Sequence, residues 1–141
     1  MDLARALDIV REQNRGVLTT QRRDGRPQLS NINYAVATDG VIRISITDGR
    51  AKTANLRRDP RASLYVTRND FSAYLVVDAD TEFGPPATAT DDDAMEELIT
   101  LFRDVNGEHP DWDDYRRAMV ADRRIVLRLH PTRAYGMWPD A

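Results

Sequence analysis

The sequence predicts a mainly β domain, a small antiparallel barrel of meander or Greek-key type with flanking helices. Three observations carry this. Short apolar runs alternate with period two, as in Ile42, Ile44 and Ile46. Asp-Gly pairs at Asp24-Gly25 and Asp39-Gly40 join consecutive runs through connections that suit only hairpins. Helical periodicity is confined to the N-terminus, a short stretch near residue 50 and a late segment.

The elements follow in order. Leu3, Ala6, Leu7 and Val10 recur at helical spacing, so residues 2–15 are expected as a helix that Asp2 caps and Gly16 stops. Val17–Thr20 and Leu29–Ala37 form a hairpin around Asp24-Gly25, and Val41–Ile46 follows Asp39-Gly40. Arg50–Arg58 is a short helix halted by Pro60. Ala62–Thr67 and Tyr74–Phe83 are strands joined at Asn69-Asp70. Thr90 is expected to cap a helix opening on Asp91-Asp92-Asp93, with Met95, Leu98, Ile99, Phe102 and Val105 as its apolar stripe and Asn106-Gly107 as its end. A second helix begins near Asp111, and Ile125–Leu129 is the closing strand, ended by Pro131. The chain thus reads as one domain, 1–141, of six strands, with residues 87–122 a helical insertion. So small a barrel leaves little interior, so a ligand is expected on its outside or at a subunit interface.

Composition narrows the chemistry. A chain of 141 residues suffices for one core. It has no cysteine, which removes disulfides, thiolate nucleophiles and Cys-type metal sites. Its two histidines, His109 beside a proline in a helix link and His130 at a strand end, suit neither metal spacing nor heme ligation. The Asp91–Asp93 run reads as a solvated helix start rather than a magnesium site. A net charge of −3 offers no global field for nucleic acid. No apolar run reaches the roughly 20 residues of a membrane span, and no secretory signal is visible, so a cytoplasmic location is expected.

Charge is unevenly spread. Residues 50–61 hold five cations (Arg50, Lys52, Arg57, Arg58, Arg61) against one acid, Asp59, and Lys52 is the single lysine. Arg57, Arg58 and Arg61 suit the negative end of a helix dipole and fit an ordinary surface helix. Arg50 and Lys52 sit at the opposite end, where a cation is unfavourable without an anion. With Thr53 they could cradle a phosphate. Gln28-Leu29-Ser30-Asn31 is a polar stretch with weak β-propensity, offering either solvated groups or amides for a heterocycle edge.

Three stretches together carry a family resemblance: Gly16–Thr20, Asp24–Asn31, and Arg50-Ala51-Lys52-Thr53-Ala54-Asn55-Leu56 through Ser63. With Asp111–Arg116 and Tyr135-Gly136, they resemble the pyridoxamine 5'-phosphate oxidase-like split β-barrels with an FMN-binding-like fold, and more narrowly the actinobacterial branch that uses the deazaflavin coenzyme F420. The resemblance implies a homodimer with two interfacial cofactor sites and a small-molecule substrate. It places Arg50, Lys52 and Thr53 at the cofactor phosphate, with Asn55 and Leu56 nearby. Gln28, Leu29, Ser30, Asn31, Ser45, Ile46 and Thr47 would run along the ring and ribityl chain. Tyr74 would come from the other subunit, and Tyr135 and Met137 would approach the substrate. The implied activity is hydride transfer from reduced F420 to an electron-poor C=C or C=N, with no catalytic side chain. FMN in the same fold, or a cofactor carrier without turnover, are the alternatives. Ser72, where many relatives carry a bulky aromatic, and Met137-Trp138-Pro139 depart from the pattern on the substrate side.

Overall fold

A computed structural model describes residues 1–139; the last two residues of the domain read from the sequence lie outside the described residues. The elements are α1 (Leu3–Glu12), β1 (Arg15–Gln21), β2 (Pro27–Asn33), β3 (Ala35–Val36), β4 (Ile42–Thr47), α2 (Ala51–Arg58), β5 (Arg61–Thr67), β6 (Tyr74–Phe83), α3 (Asp93–Asn106), α4 (Trp112–Ala121) and β7 (Arg124–Met137). The strands form one sheet in the order β2-β1-β5-β6-β7-β4-β3, and every pairing is antiparallel.

The expected strand Leu29–Ala37 is two strands, which makes seven rather than six. β2 and β3 lie at opposite edges of the sheet order, yet only residue 34 separates them in the chain. The sheet therefore curls until its edges meet at Tyr34. That side chain is fully buried, and its hydroxyl donates to the Val10 carbonyl at 2.8 Å. Its backbone N–H donates to the Asn14 carbonyl at 3.0 Å, so α1 and its exit segment hold the seam from both sides.

Alternation along the strands sorts side chains between two faces. Leu18, Ile32, Ile42, Ile44, Ile46, Leu64, Leu75, Val77, Leu127 and Leu129 fill the concave face, joined by Ala6 and Val10 of α1 and Leu56 of α2. A second cluster lies on the outer face, where Met95, Leu98, Ile99 and Leu101 of α3 and Tyr115 of α4 pack over Val126. The same contact carries ions. Arg43 and Arg128 face each other across β4 and β7, an unfavourable pairing of like charges. Glu97 of α3 accepts from Arg43 Nε at 3.1 Å and from Arg128 Nη2 at 2.6 Å. Burial alone would raise the Glu97 carboxyl, but the two guanidiniums outweigh it and hold it below its ordinary range.

Three further expectations are corrected. The closing strand does not end at Pro131 but runs on to Met137. β4 accompanies β7 only as far as Leu129, so beyond it β7 has a free edge where a missing N–H costs nothing. Thr132 forms a bulge between the pairs Ala79–Pro131 and Asp78–Arg133, and its hydroxyl donates to the Asp78 carbonyl at 3.1 Å. The cap of α3 is Asp92, not Thr90: its carboxylate accepts from the Met95 N–H at 2.8 Å. Gly16 does not stop α1, which ends at Glu12, but lies within β1, where a Cβ would meet the Tyr65 carbonyl oxygen at 2.7 Å.

Tyr34→Phe keeps the buried ring but removes one of the two hydrogen bonds to the Val10 carbonyl, which still accepts from the Gln13 N–H at 3.1 Å. It should lower the unfolding free energy by about 1–2 kcal/mol, read as a shifted urea midpoint at unchanged slope; an unshifted midpoint would show that the seam does not need the hydroxyl.

Candidate cofactor cleft and its cationic end

α2 is positioned by its buried side. Thr53, fully buried, donates through Oγ1 to the Thr47 carbonyl at 2.8 Å, fastening the first turn of α2 to the end of β4. Asn55 Nδ2 donates to Thr20 Oγ1 at 3.1 Å, and Leu56 lies in the core. The polar side-chain atoms of Thr53 and Asn55 thus bond inside the protein. The later cations are also partnered. Arg57 pairs with Asp48 at 2.6 Å, Arg58 donates to the Gln21 carbonyl at 2.7 Å, and Arg61 pairs with Asp59 at 2.8 Å.

Arg50 and Lys52 differ. Arg50 is the N-cap residue of α2, is exposed and makes no side-chain capping bond. Lys52 is half-buried and lines a cavity. Its pKa is lowered, first by burial and then by the charges of Arg50 and Arg124. Burial and like charge both disfavour the ammonium, so it is poised for an anion rather than satisfied by an acid.

The cavity, of about 500 Å³, lies between the outer face of the sheet and the α3–α4 insertion. Asn31 and Asn33 of β2, Ser45 of β4, Lys52, Arg124 and Asp114 of α4 are on its polar side, and Leu101, Phe102, Val105 and Met119 on its apolar side. Strand alternation divides the residues expected beside a cofactor. Asn31 and Ser45 line this cavity, while Gln28 and Ser30 alternate onto the other face of β2 and Ile46 points into the core. Thr47 lies on the Ser45 face of β4 at its last position. Leu29 lies on the outer face beside Val17, Tyr65, Val76 and Tyr135, away from Lys52. Tyr74 stacks on Tyr65 with ring centroids 6.0 Å apart, also outside this cavity.

Sequence reasoning missed Arg124. It is one of 19 arginines, adjacent to another at the end of a helix, and only the β4–β7 register, which sets it opposite Thr47, brings it to the cavity. Its Nε is the one buried side-chain polar atom among the described residues without a hydrogen-bond partner. The remaining titratable groups here are engaged. Tyr115 donates to the Leu98 carbonyl at 3.0 Å, and burial pushes its pKa up to about 12. His109 accepts the Asp111 N–H at Nδ1, 2.9 Å away, and His130 pairs with Glu82 at 3.1 Å. No cluster of three or more metal-ligating side chains occurs among the described residues. No helix among the described residues is long and apolar enough to cross a membrane. A cationic cavity end with an orphaned donor fits an anionic, phosphate-bearing group and offers no acid–base pair of its own.

The curled antiparallel sheet with its outer cleft defines a split barrel. The sequence profile of pyridoxamine 5'-phosphate oxidase matches residues 3–138, and the chain belongs to that family. A conserved hypothetical protein of Mycobacterium tuberculosis superposes with a TM-score of 0.74 at 25% identity, over 96% of this chain and 84% of that one. An F420 reductase does so with a TM-score of 0.67 at 26% identity, over 86% of this chain and 89% of that one. A heme storage protein of Vibrio cholerae shares the fold, with a TM-score of 0.68 at 16% identity over 96% and 94% of the two chains. Membership in this family supports an oxidoreductase class.

The lowered Lys52 pKa sets a sign. The unfolded chain binds this proton more tightly, so at pH 7 the buried ammonium opposes folding, and the penalty is relieved as pH rises through the folded value toward 10.5. Lys52→Met should therefore melt above wild type at pH 7 in anion-free, low-salt buffer, with the gap closing at alkaline pH. Added phosphate should raise the wild-type melting temperature only. A variant that melts lower without anion would contradict the assignment.

Proposed function

We propose that this chain is a deazaflavin-dependent oxidoreductase, in which reduced coenzyme F420, when bound, supplies the hydride delivered to an electron-poor C=C or C=N of a small organic substrate. The observation that carries the reading is Lys52, a half-buried ammonium at the start of α2 that lines the cavity with Arg124 and lies near Arg50, and that is ion-paired with no acid among the described residues. The similarity to an F420 reductase supports the choice of cofactor.

The roles of this chain's residues follow from their places. Lys52 provides a point charge for the cofactor phosphate, and Arg50 adds a second cation from the N-cap. Thr53, Asn55 and Leu56 hold α2 in position through buried contacts. Asn31 and Ser45 present polar groups along the cavity. The α3–α4 insertion covers that cavity with apolar side chains, which limits water near bound groups. No side chain here is poised as an acid or base, so the proton that completes reduction comes from solvent. Binding and orientation are then the protein's contribution.

The proposal includes a cytoplasmic homodimer. Its support is the outer sheet face, where Leu29 (59% exposed), Tyr135 (45%) and Met137 (60%) leave apolar surface beside the groove lined by Val17, Tyr65 and Val76. A second copy covering this face would bring Tyr74 toward the partner's cofactor. Sedimentation should give twice the mass of one chain, and Tyr135→Glu should shift the protein toward monomer; a monomeric wild type at micromolar concentration removes the dimer from the proposal.

Cofactor binding is the direct test. Fluorescence titration should give saturable binding of F420, weakened about tenfold or more by Lys52→Ala and measurably by Arg50→Ala. Wild-type affinity in both variants would sink the phosphate assignment. Tight FMN binding with none of F420 would move the chain to the flavin reductases or oxidases of the fold. Tight F420 binding without turnover on quinones, enones and unsaturated lactones would make it a carrier.

A further inference from the structure

We infer that Arg124 is the second fixed cation of the anion site, and that Lys52 and Arg124 together clamp one phosphate-type group whose apolar body lies under the α3–α4 insertion. The inference deepens the reading above and rests on it for the ligand that carries the phosphate.

Four observations place the clamp. Arg124 and Lys52 line the same cavity, while Arg50 stands exposed at the N-cap. The Arg124 Nε is buried without a hydrogen-bond partner, and its Nη1 reaches only the Ser45 carbonyl, at 3.5 Å. A buried guanidinium donor left unpaired carries a desolvation cost that an oxyanion in the cavity would remove. Arg124 is held firmly at the backbone: it pairs with Thr47 across β4–β7, and its carbonyl accepts from the Ala87 N–H at 3.1 Å. The clamp therefore sits on strand ends and a helix start rather than on a mobile loop.

The acids nearby do not supply the missing counter-charge. Asp114 also lines the cavity, but its side chain is 70% exposed and leans toward Arg117, 3.7 Å away. Glu97, on the same helix as Leu98 and Leu101, is taken up by Arg43 and Arg128. Two cations facing one space, neither of them ion-paired with Asp114, the acid that lines it, suit a dianion better than a carboxylate. Leu101, Phe102, Val105 and Met119 form the opposite wall and suit an apolar or flat body attached to that group.

The test uses the full-length protein without cofactor, with inorganic phosphate and phenyl phosphate as probes in calorimetric titrations, then F420 and FMN by fluorescence. Wild type should bind phenyl phosphate more tightly than inorganic phosphate. Arg124→Gln should weaken phenyl phosphate about ten- to hundredfold, the loss of one charge-assisted contact, and Arg124→Lys should recover part of it. Met119→Trp, which fills the apolar wall and leaves both cations, should weaken phenyl phosphate but not inorganic phosphate. Melting curves of each variant check folding. Cofactor affinity lost in Lys52→Ala but unchanged in a folded Arg124→Gln overturns the clamp and leaves the proposed function standing. Arg124-dependent phenyl phosphate binding with no affinity for F420 or FMN upholds the clamp and overturns that function. Equal affinity for the two phosphates overturns the apolar wall.

Discussion

The closure of the sheet at Tyr34 is the constraint on which the rest of the structure depends. β2 and β3 are one residue apart in sequence but have five strands between them in sheet order, so the backbone at 34 ties both edges together. A turn this abrupt places a large side chain wholly inside, and a buried phenol needs a partner. The Val10 carbonyl, at 2.8 Å, meets that need at the C-terminal turn of α1, which explains why a short N-terminal helix packs across the seam. Closure also decides the site. It brings Asn31 and Asn33 at one edge of the sheet to the same outer cavity as Ser45 at the other.

The outer face then shows two contrasting treatments of positive charge. Arg43 and Arg128 are forced opposite each other by register, and Glu97 descends from α3 to bridge them, so the insertion is bound to the barrel by an ionic contact as well as an apolar one. In the cavity beside the same helix, Lys52 and Arg124 have no bridging acid of this kind among the described residues, and Asp114, which also lines it, leans toward Arg117. A chain with 23 acidic residues against 20 basic ones has carboxylates to spare. That Lys52 and Arg124 are nonetheless left without an ion pair among the described residues is the contrast on which the proposed anion site rests.

Much of the fold was legible because its signals are local. The Asp-Gly turns, the alternation of Ile42, Ile44 and Ile46, and the strand Tyr74–Phe83 each follow from neighbours in sequence. Leu29–Ala37 read as one strand because its alternation continues through Tyr34; nothing local reports that its halves pair with different ends of the sheet. Pro131 read as a terminator because a proline breaks a ladder, and only the point at which β4 ends, opposite Leu129, reveals that no ladder is broken there. Thr90 and Asp92 are both competent caps, and the choice falls to Asp92, whose carboxylate also takes the N–H groups of Thr88 and Ala89. At the site, the sign mismatch of cations at a helix start was visible in sequence, whereas the alternation that separates Gln28 and Ser30 from Asn31 needed the pairing register.

What the sequence by itself determined is the antiparallel β class, the two late helices and the unusual position of Arg50 and Lys52, because hairpin chemistry, helical periodicity and dipole sign act over a few residues. Only the tertiary structure decided which cation enters the cavity and with what partner. Lys52 turns inward while Arg50 stays exposed, and Arg124 arrives from 72 positions later in the chain through the β4–β7 register. That register is set by burial of one face of the whole sheet, a long-range condition that no window of sequence around residue 52 or residue 124 contains.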